Sequence, residues 1–133
     1  MKRSFGIQAL IGTMVLVATL LAANGSCIAD ESSAAVPQVP TKGMVTMVDL
    51  GANKCIICKM MSSIVESLQK EYKGKADIVF IDVWKHPDEG QKFGINVIPT
   101  QIFYDKQGKE VYRHEGLMLK GAIISKLESL GVK

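Results

Sequence analysis

The chain has 133 residues, 47% of them hydrophobic and 22% charged, with a formal net charge of +3. That length suits one domain with a modest core, so a second domain is not expected. The weak charge, with no run of Lys and Arg interleaved with aromatics, argues against a nucleic-acid face.

Residues 1–29 open with Lys2 and Arg3, run without charge from Phe5 to Ala23 and end in small residues. That is the pattern of a secretory signal peptide, with cleavage expected after Ala29 or a few residues earlier. Two other readings stay open. The uncharged run is just long enough for an uncleaved membrane anchor, although Gly, Gln and Thr dilute it. Cys27 is a candidate for lipid attachment, although Asn24 stands where such leaders carry Leu. Cleavage removes Lys2 and Arg3 and leaves 14 Lys and Arg against 13 Asp and Glu, with Cys55 and Cys58 as the remaining cysteines. Export places both thiols in a periplasmic or otherwise extracytoplasmic space, where disulfides persist. A bridge closing so short a loop removes little entropy from the unfolded chain, so a stapling role is not expected.

Residues 30–43, DESSAAVPQVPTKG, hold two prolines and no periodicity and read as a flexible linker. The domain proper is expected over 44–133. Residues 44–50, MVTMVDL, form an apolar, β-branched run suited to a buried strand, with Asp49 as its one charge. From Cys55 to Lys73, apolar residues recur at Ile57, Met61, Ile64, Leu68 and Tyr72, which marks an amphipathic helix ended by Gly74. Residues 76–83, ADIVFIDV, are a second strand, and strand–helix–strand order favours parallel pairing through a right-handed crossover. A short helix fits within HPDEGQKFG, and a third strand begins just beyond Pro99. After the turn DKQG, KEVYRHEG pairs antiparallel with the third strand. LKGAIISKLESLG closes as a helix with Ile123, Ile124, Leu127 and Leu130 inward. The result is an α/β domain, βαβ, short helix, ββα, with a four-stranded sheet flanked by helices on both faces.

The stretch NKCIICK, 53–59, carries the chemistry. Zinc sites need three or four protein ligands, and His86 and His114 stand at no recognisable spacing from the two thiols. Haem attachment needs His directly after the second cysteine, where Lys59 stands. A Cys-x-x-Cys pair opening a helix inside a βαβ unit fits dithiol redox chemistry. At the first turn Cys55 meets unpaired backbone N–H groups and the positive end of the helix dipole, which favour thiolate. Cys55 is therefore the expected nucleophile. Cys58, turned toward the buried flank, is the expected resolver, closing a Cys55–Cys58 disulfide as it releases substrate. No cofactor and no metal are needed for this. Asp49 is either a desolvated acid that relays the Cys58 proton or a strand-end carboxylate in water.

These residues resemble the thioredoxin family, in particular its exported bacterial thiol:disulfide oxidoreductases, over about Met44 to Leu130. VDLGANKCIICKMM is similar to the family's active-site block, with Asp49 where the family keeps a buried acid. GINVIPT, 94–100, is similar to its second hallmark. The resemblance implies the thioredoxin fold, a cis Pro99 facing the cysteines, and an Ile98 backbone offered to an extended substrate segment. It also implies a monomer that exchanges disulfides with exported proteins and draws electrons from a membrane donor. Departures are Lys54 in place of Trp, a cation that favours thiolate, and Ile56-Ile57 in place of Gly-Pro, an apolar rim at the substrate groove. The family's lysine partner for the buried acid aligns with Ile78.

Direction stays open, since about 30 mV of potential is only about 1.4 kcal/mol. The reading favours a reductant, for example of apocytochromes or other exported thiol proteins. The rival is a copper carrier without turnover, using the two thiols and a methionine. For Met44, Met47, Met60 and Met61, core filling is the plainer reading. Trp84 is expected either in the core or lining the groove, and His86 and His114 are expected at the surface.

Overall fold

The computed structural model describes residues 35–133, so the leader expected over 1–29 and the first residues of the 30–43 segment lie outside the described residues. Seven elements follow in order: β1 (Thr46–Gly51), α1 (Ile56–Glu71), β2 (Asp77–Asp82), α2 (Pro87–Lys92), β3 (Thr100–Tyr104), β4 (Glu110–Glu115) and α3 (Lys120–Ser129). The four strands form one mixed sheet in the order β2-β1-β3-β4. β1 runs parallel to β2 and antiparallel to β3, and β3 runs antiparallel to β4. The parallel pair needs a long crossover, which α1 supplies.

Because side chains alternate across a strand, the sheet divides its apolar residues between two layers. Val45, Met47, Ile78 and Phe103 meet Met61, Val65 and Leu68 of α1 and Ile123 and Leu127 of α3. On the opposite face Val48, Leu50, Val79, Ile81, Ile102 and Tyr104 pack with Val83 and Phe93. β1 is buried along its whole length, as a central strand covered on both sides should be. α1 ends where Tyr72 caps it and Gly74 takes a φ of +78°, a left-handed exit open to glycine without a Cβ penalty.

Three expectations need correction. The segment read as a flexible linker carries no helix or strand from 35 to 43, yet it is docked: Val36 and Val39 pack onto the second apolar layer. Its Thr41 hydroxyl donates to Asp77, and the Gly43 N–H donates to the Lys106 carbonyl at 3.2 Å. Among the described residues the short α2 is the one helix on this face, so the segment covers apolar surface that α2 leaves open. Second, the buried stripe of α1 is Cys58, Met61, Val65 and Leu68 rather than one beginning at Ile57. Ile57 lies in the first turn at the edge of the sheet and is half exposed. Third, Met47 and Met61 fill the core, but Met60 is 55% exposed. Among the described residues no helix is long and apolar enough to cross a membrane.

Candidate active site

β1 delivers the chain to the site and α1 begins there. Between them the Cys55 N–H donates to the Ala52 carbonyl at 3.1 Å, a tight turn that aims Cys55 at the helix entrance. Cys55 has extended backbone (φ −84°, ψ 128°) and is the N-cap of α1. Its Sγ accepts the backbone N–H of Cys58 at 3.2 Å, in the role a capping oxygen usually fills. Both cysteines are free thiols, Cys55 half-buried and Cys58 buried.

The two sulfurs are pushed in opposite directions. The Cys55 thiol is held below its ordinary value, first by its hydrogen bond with the Cys58 side chain and then by the backbone amides of Cys58 and Ile57. Cys58 is pushed up to about 11, chiefly by burial and then by its neighbour Cys55. One sulfur is thus a partly accessible anion-former and the other a covered proton carrier, as distinct pKa values require for a nucleophile and a resolver.

Asp49 lies on β1, fully buried. Burial raises its carboxyl from 3.8 to about 6, against a lowering hydrogen bond from Gln101. The strand-end carboxylate in water is therefore excluded. Asp49 and Cys58 share the face of the sheet under α1, and the charge of Asp49 acts on both cysteines. On β2 the residue in register with Asp49 is Phe80, whereas Ile78 lies across from Met47. The expected alignment of Ile78 with the family's lysine is thus off by two residues, one full period on the same face. An apolar side chain nonetheless stands beside the acid.

Gly51 makes the close approach of these groups possible. A Cβ there would lie 3.2 Å from Phe80 Cε2, 3.4 Å from Cys58 Cβ and 3.5 Å from Cys58 Sγ. Asp82, at the end of β2, ties two loops together. Its Oδ2 accepts the Asn53 N–H at 3.3 Å, while Oδ1 accepts Trp84 N–H at 3.0 Å and Lys85 N–H at 3.3 Å.

The Ile98–Pro99 peptide bond is cis. Leu50 pairs with Thr100, so Pro99 lies beside Gly51, at the sheet edge from which the cysteine turn departs. Pro99 is buried, and its carbonyl accepts the Gly116 N–H at 2.8 Å. Ile98 lines a groove of about 360 Å³ with Trp84, Pro87, Ile95 and Val97. Trp84 is 58% exposed, so it belongs to this groove and not to the core. Lys54, Ile56 and Ile57 stand exposed around the cysteines, and Lys54 makes no salt bridge among the described residues. His86 heads α2, and His114 on β4 has Nε2 3.3 Å from the Leu117 carbonyl. Gln101, Gly51 and Asp82 hold roles here that no motif legible in the sequence assigns. Gln101 carried one visible signal, a polar residue inside the apolar strand TQIFY.

A mixed four-stranded sheet flanked by helices, with a Cys-x-x-Cys pair at the helix entrance and an acid buried behind it, defines a thioredoxin-fold thiol:disulfide oxidoreductase. The thioredoxin family model matches residues 30–129, and the chain belongs to the thioredoxin family. It is 38% identical over 76 residues to the thioredoxin of Staphylococcus aureus, a span of 57% of this chain and 72% of that protein. To the thioredoxin of Staphylococcus haemolyticus it is 40% identical over the same shares of the two chains. Thioredoxin NaTrxh from Nicotiana alata superposes with a TM-score of 0.59 and 34% identity, over 65% of this chain and 73% of that one. Fasciola hepatica thioredoxin superposes with a TM-score of 0.59 and 28% identity, over 66% and 82%.

Proposed function

We propose that the protein is an exported thioredoxin that reduces disulfides of extracytoplasmic proteins, with Cys55 as nucleophile, Cys58 as resolver and Asp49 as proton acceptor. One observation carries the assignment of roles: Cys55 caps α1 with its sulfur open and its thiolate favoured, while Cys58 is buried and holds its proton. The Cys55 thiolate attacks one sulfur of the substrate disulfide, forming a mixed disulfide and releasing the other sulfur as thiolate. That step removes the Cys55 anion, one of the influences that raise Cys58. Cys58 then gives its proton to Asp49 and attacks Cys55. The Cys55–Cys58 disulfide forms, and the second substrate thiolate leaves. Asp49 later returns its proton to solvent or to a departing thiolate, and two electrons have passed to the substrate.

The surroundings favour an extended, apolar substrate segment, since Ile56 and Ile57 are exposed beside the pair and exposed Trp84 and Val97 line the groove with Ile98, which precedes the cis Pro99. The exported setting rests on Lys2 and Arg3 ahead of the uncharged run to Ala23, and a membrane carrier is the electron donor such a setting calls for. The test is insulin reduction by the purified protein with dithiothreitol, beside cell fractionation. Turnover that requires both cysteines, with the protein found outside the cytoplasm, is the expected result. Thiol-dependent copper retention without turnover would overturn the redox reading, and a cytoplasmic protein would overturn the exported one.

A further inference from the structure

Four residues form one row across the sheet: Phe80 on β2, Asp49 on β1, Gln101 on β3 and His114 on β4. Asp49 and Gln101 are both fully buried, and Gln101 Nε2 donates to Asp49 Oδ1 at 2.8 Å. The other two acceptors of the pair, Asp49 Oδ2 and Gln101 Oε1, are buried without a hydrogen-bond partner among the described residues. Unpaired buried acceptors are rare and ask for a reason. We propose that Gln101 is a positioning residue for the resolving step: by occupying Oδ1 of Asp49 it leaves Oδ2 as the oxygen that takes the Cys58 proton, and it sets how readily that proton is taken. This rests on Asp49 acting as the proton acceptor proposed above.

The chemistry follows from the two protonation states. A carboxylate gains from the Gln101 N–H more than a neutral acid does. Its empty oxygen is unsatisfied as an anion but becomes an O–H once Cys58 has released its proton. Burial pushes Asp49 up to about 6 while Gln101 pulls the other way, so the amide keeps the acid ionised near neutral pH, where a base is needed. Around Asp49 the titratable groups are Cys55 and Cys58 from α1. β2 contributes only Phe80, β3 the neutral Gln101, and β4 adds His114 one strand further out, turned to the Leu117 carbonyl.

Reaction of the reduced protein with Ellman's reagent separates the steps. The first thiolate released reports attack by Cys55, and the second reports resolution by Cys58. In Gln101→Met, a substitution of similar length, the acid limb of the second release should move to higher pH. The rate should fall about 5-fold at pH 6 and about 2-fold at pH 7, as a limb displaced by about one pH unit from about 6 requires, and should rejoin the wild type by about pH 9. The first release should be unchanged within about twofold. Asp49→Asn should abolish the limb, and adding Gln101→Met to it should change nothing more.

A limb moved by Asp49→Asn but not by Gln101→Met overturns the inference and leaves the relay standing. A Gln101→Met effect that persists without Asp49 also overturns it. A wild-type limb in Asp49→Asn removes the relay, and this inference with it. Should Gln101→Met fail to fold, the wild-type protein still decides. The Gln101 side-chain amide resonance should titrate with the same midpoint as the Asp49 carboxyl carbon, and an amide that does not move overturns the proposal.

Discussion

Asp49→Asn should make the protein more stable at neutral pH, and the size of the gain can be worked out. In the fold the carboxyl titrates at about 6 instead of 3.8, because burial disfavours its charge more than the Gln101 hydrogen bond favours it. The folded state therefore binds a proton that the unfolded chain has already released between pH 3.8 and about 6. Stability is full below 3.8, is lost as the pH rises to about 6, and stays at its lowered level above that. At about 1.36 kcal/mol per pH unit the rise corresponds to about 3 kcal/mol at pH 8. Asparagine has no charge to bury, so the substitution should recover an amount of that order at pH 8 and little at pH 4. For a domain of about 100 residues this is a Tm increase of the order of 10 to 20 °C. Urea unfolding of both proteins across pH 4 to 8 measures it. The quantity to read is the pH-dependent part of the difference, because an asparagine amide adds a constant contribution through its own contact with Gln101. A difference that does not grow with pH refutes the buried, raised carboxyl and with it the relay.

Other outcomes follow from the same geometry. Cys58→Ser should accumulate mixed disulfides on Cys55, seen as thiol-sensitive adducts by mass spectrometry, whereas Cys55→Ser should trap none; the opposite pattern reverses the two roles. Alkylation by iodoacetamide should modify Cys55 at lower pH than an ordinary cysteine, while Cys58 should react only as the pH nears about 11. Mass mapping of the labelled peptide distinguishes the two sites. Gly51→Ala places a methyl 3.2 Å from the Phe80 ring and 3.5 Å from Cys58 Sγ, which should cost about 1 to 3 kcal/mol by overpacking. It should also slow resolution more than attack, since only Cys58 is crowded. Unfolding by urea and the two thiolate releases check these separately.

The dithiol was legible because its determinants are local. Two cysteines at that spacing before a 3.6-residue apolar rhythm suffice to place one sulfur at a helix entrance, and Cys55 caps α1 accordingly. The succession of strands along the chain was legible for a similar reason, as the first three are short apolar runs bounded by turns. Three features were not. Ile57 follows the apolar rhythm of α1 but lies where the sheet ends, so it is exposed. Val36 and Val39 read as linker because prolines hide any pattern, yet the face left open by α2 holds them. The neighbours of Asp49 depend on register, and a shift of two residues exchanges Ile78 for Phe80 without changing the face.

By itself, then, the order of residues determined the elements, the family and the identity of the reactive sulfurs, since short-range periodicity and capping depend on neighbours in the chain. Only the tertiary structure decided the environment of the acid. Asp49 and Gln101 are 52 residues apart in sequence and meet across β1 and β3. Their pairing depends on the alignment of two strands with the rest of the sheet, which no stretch of either strand encodes alone.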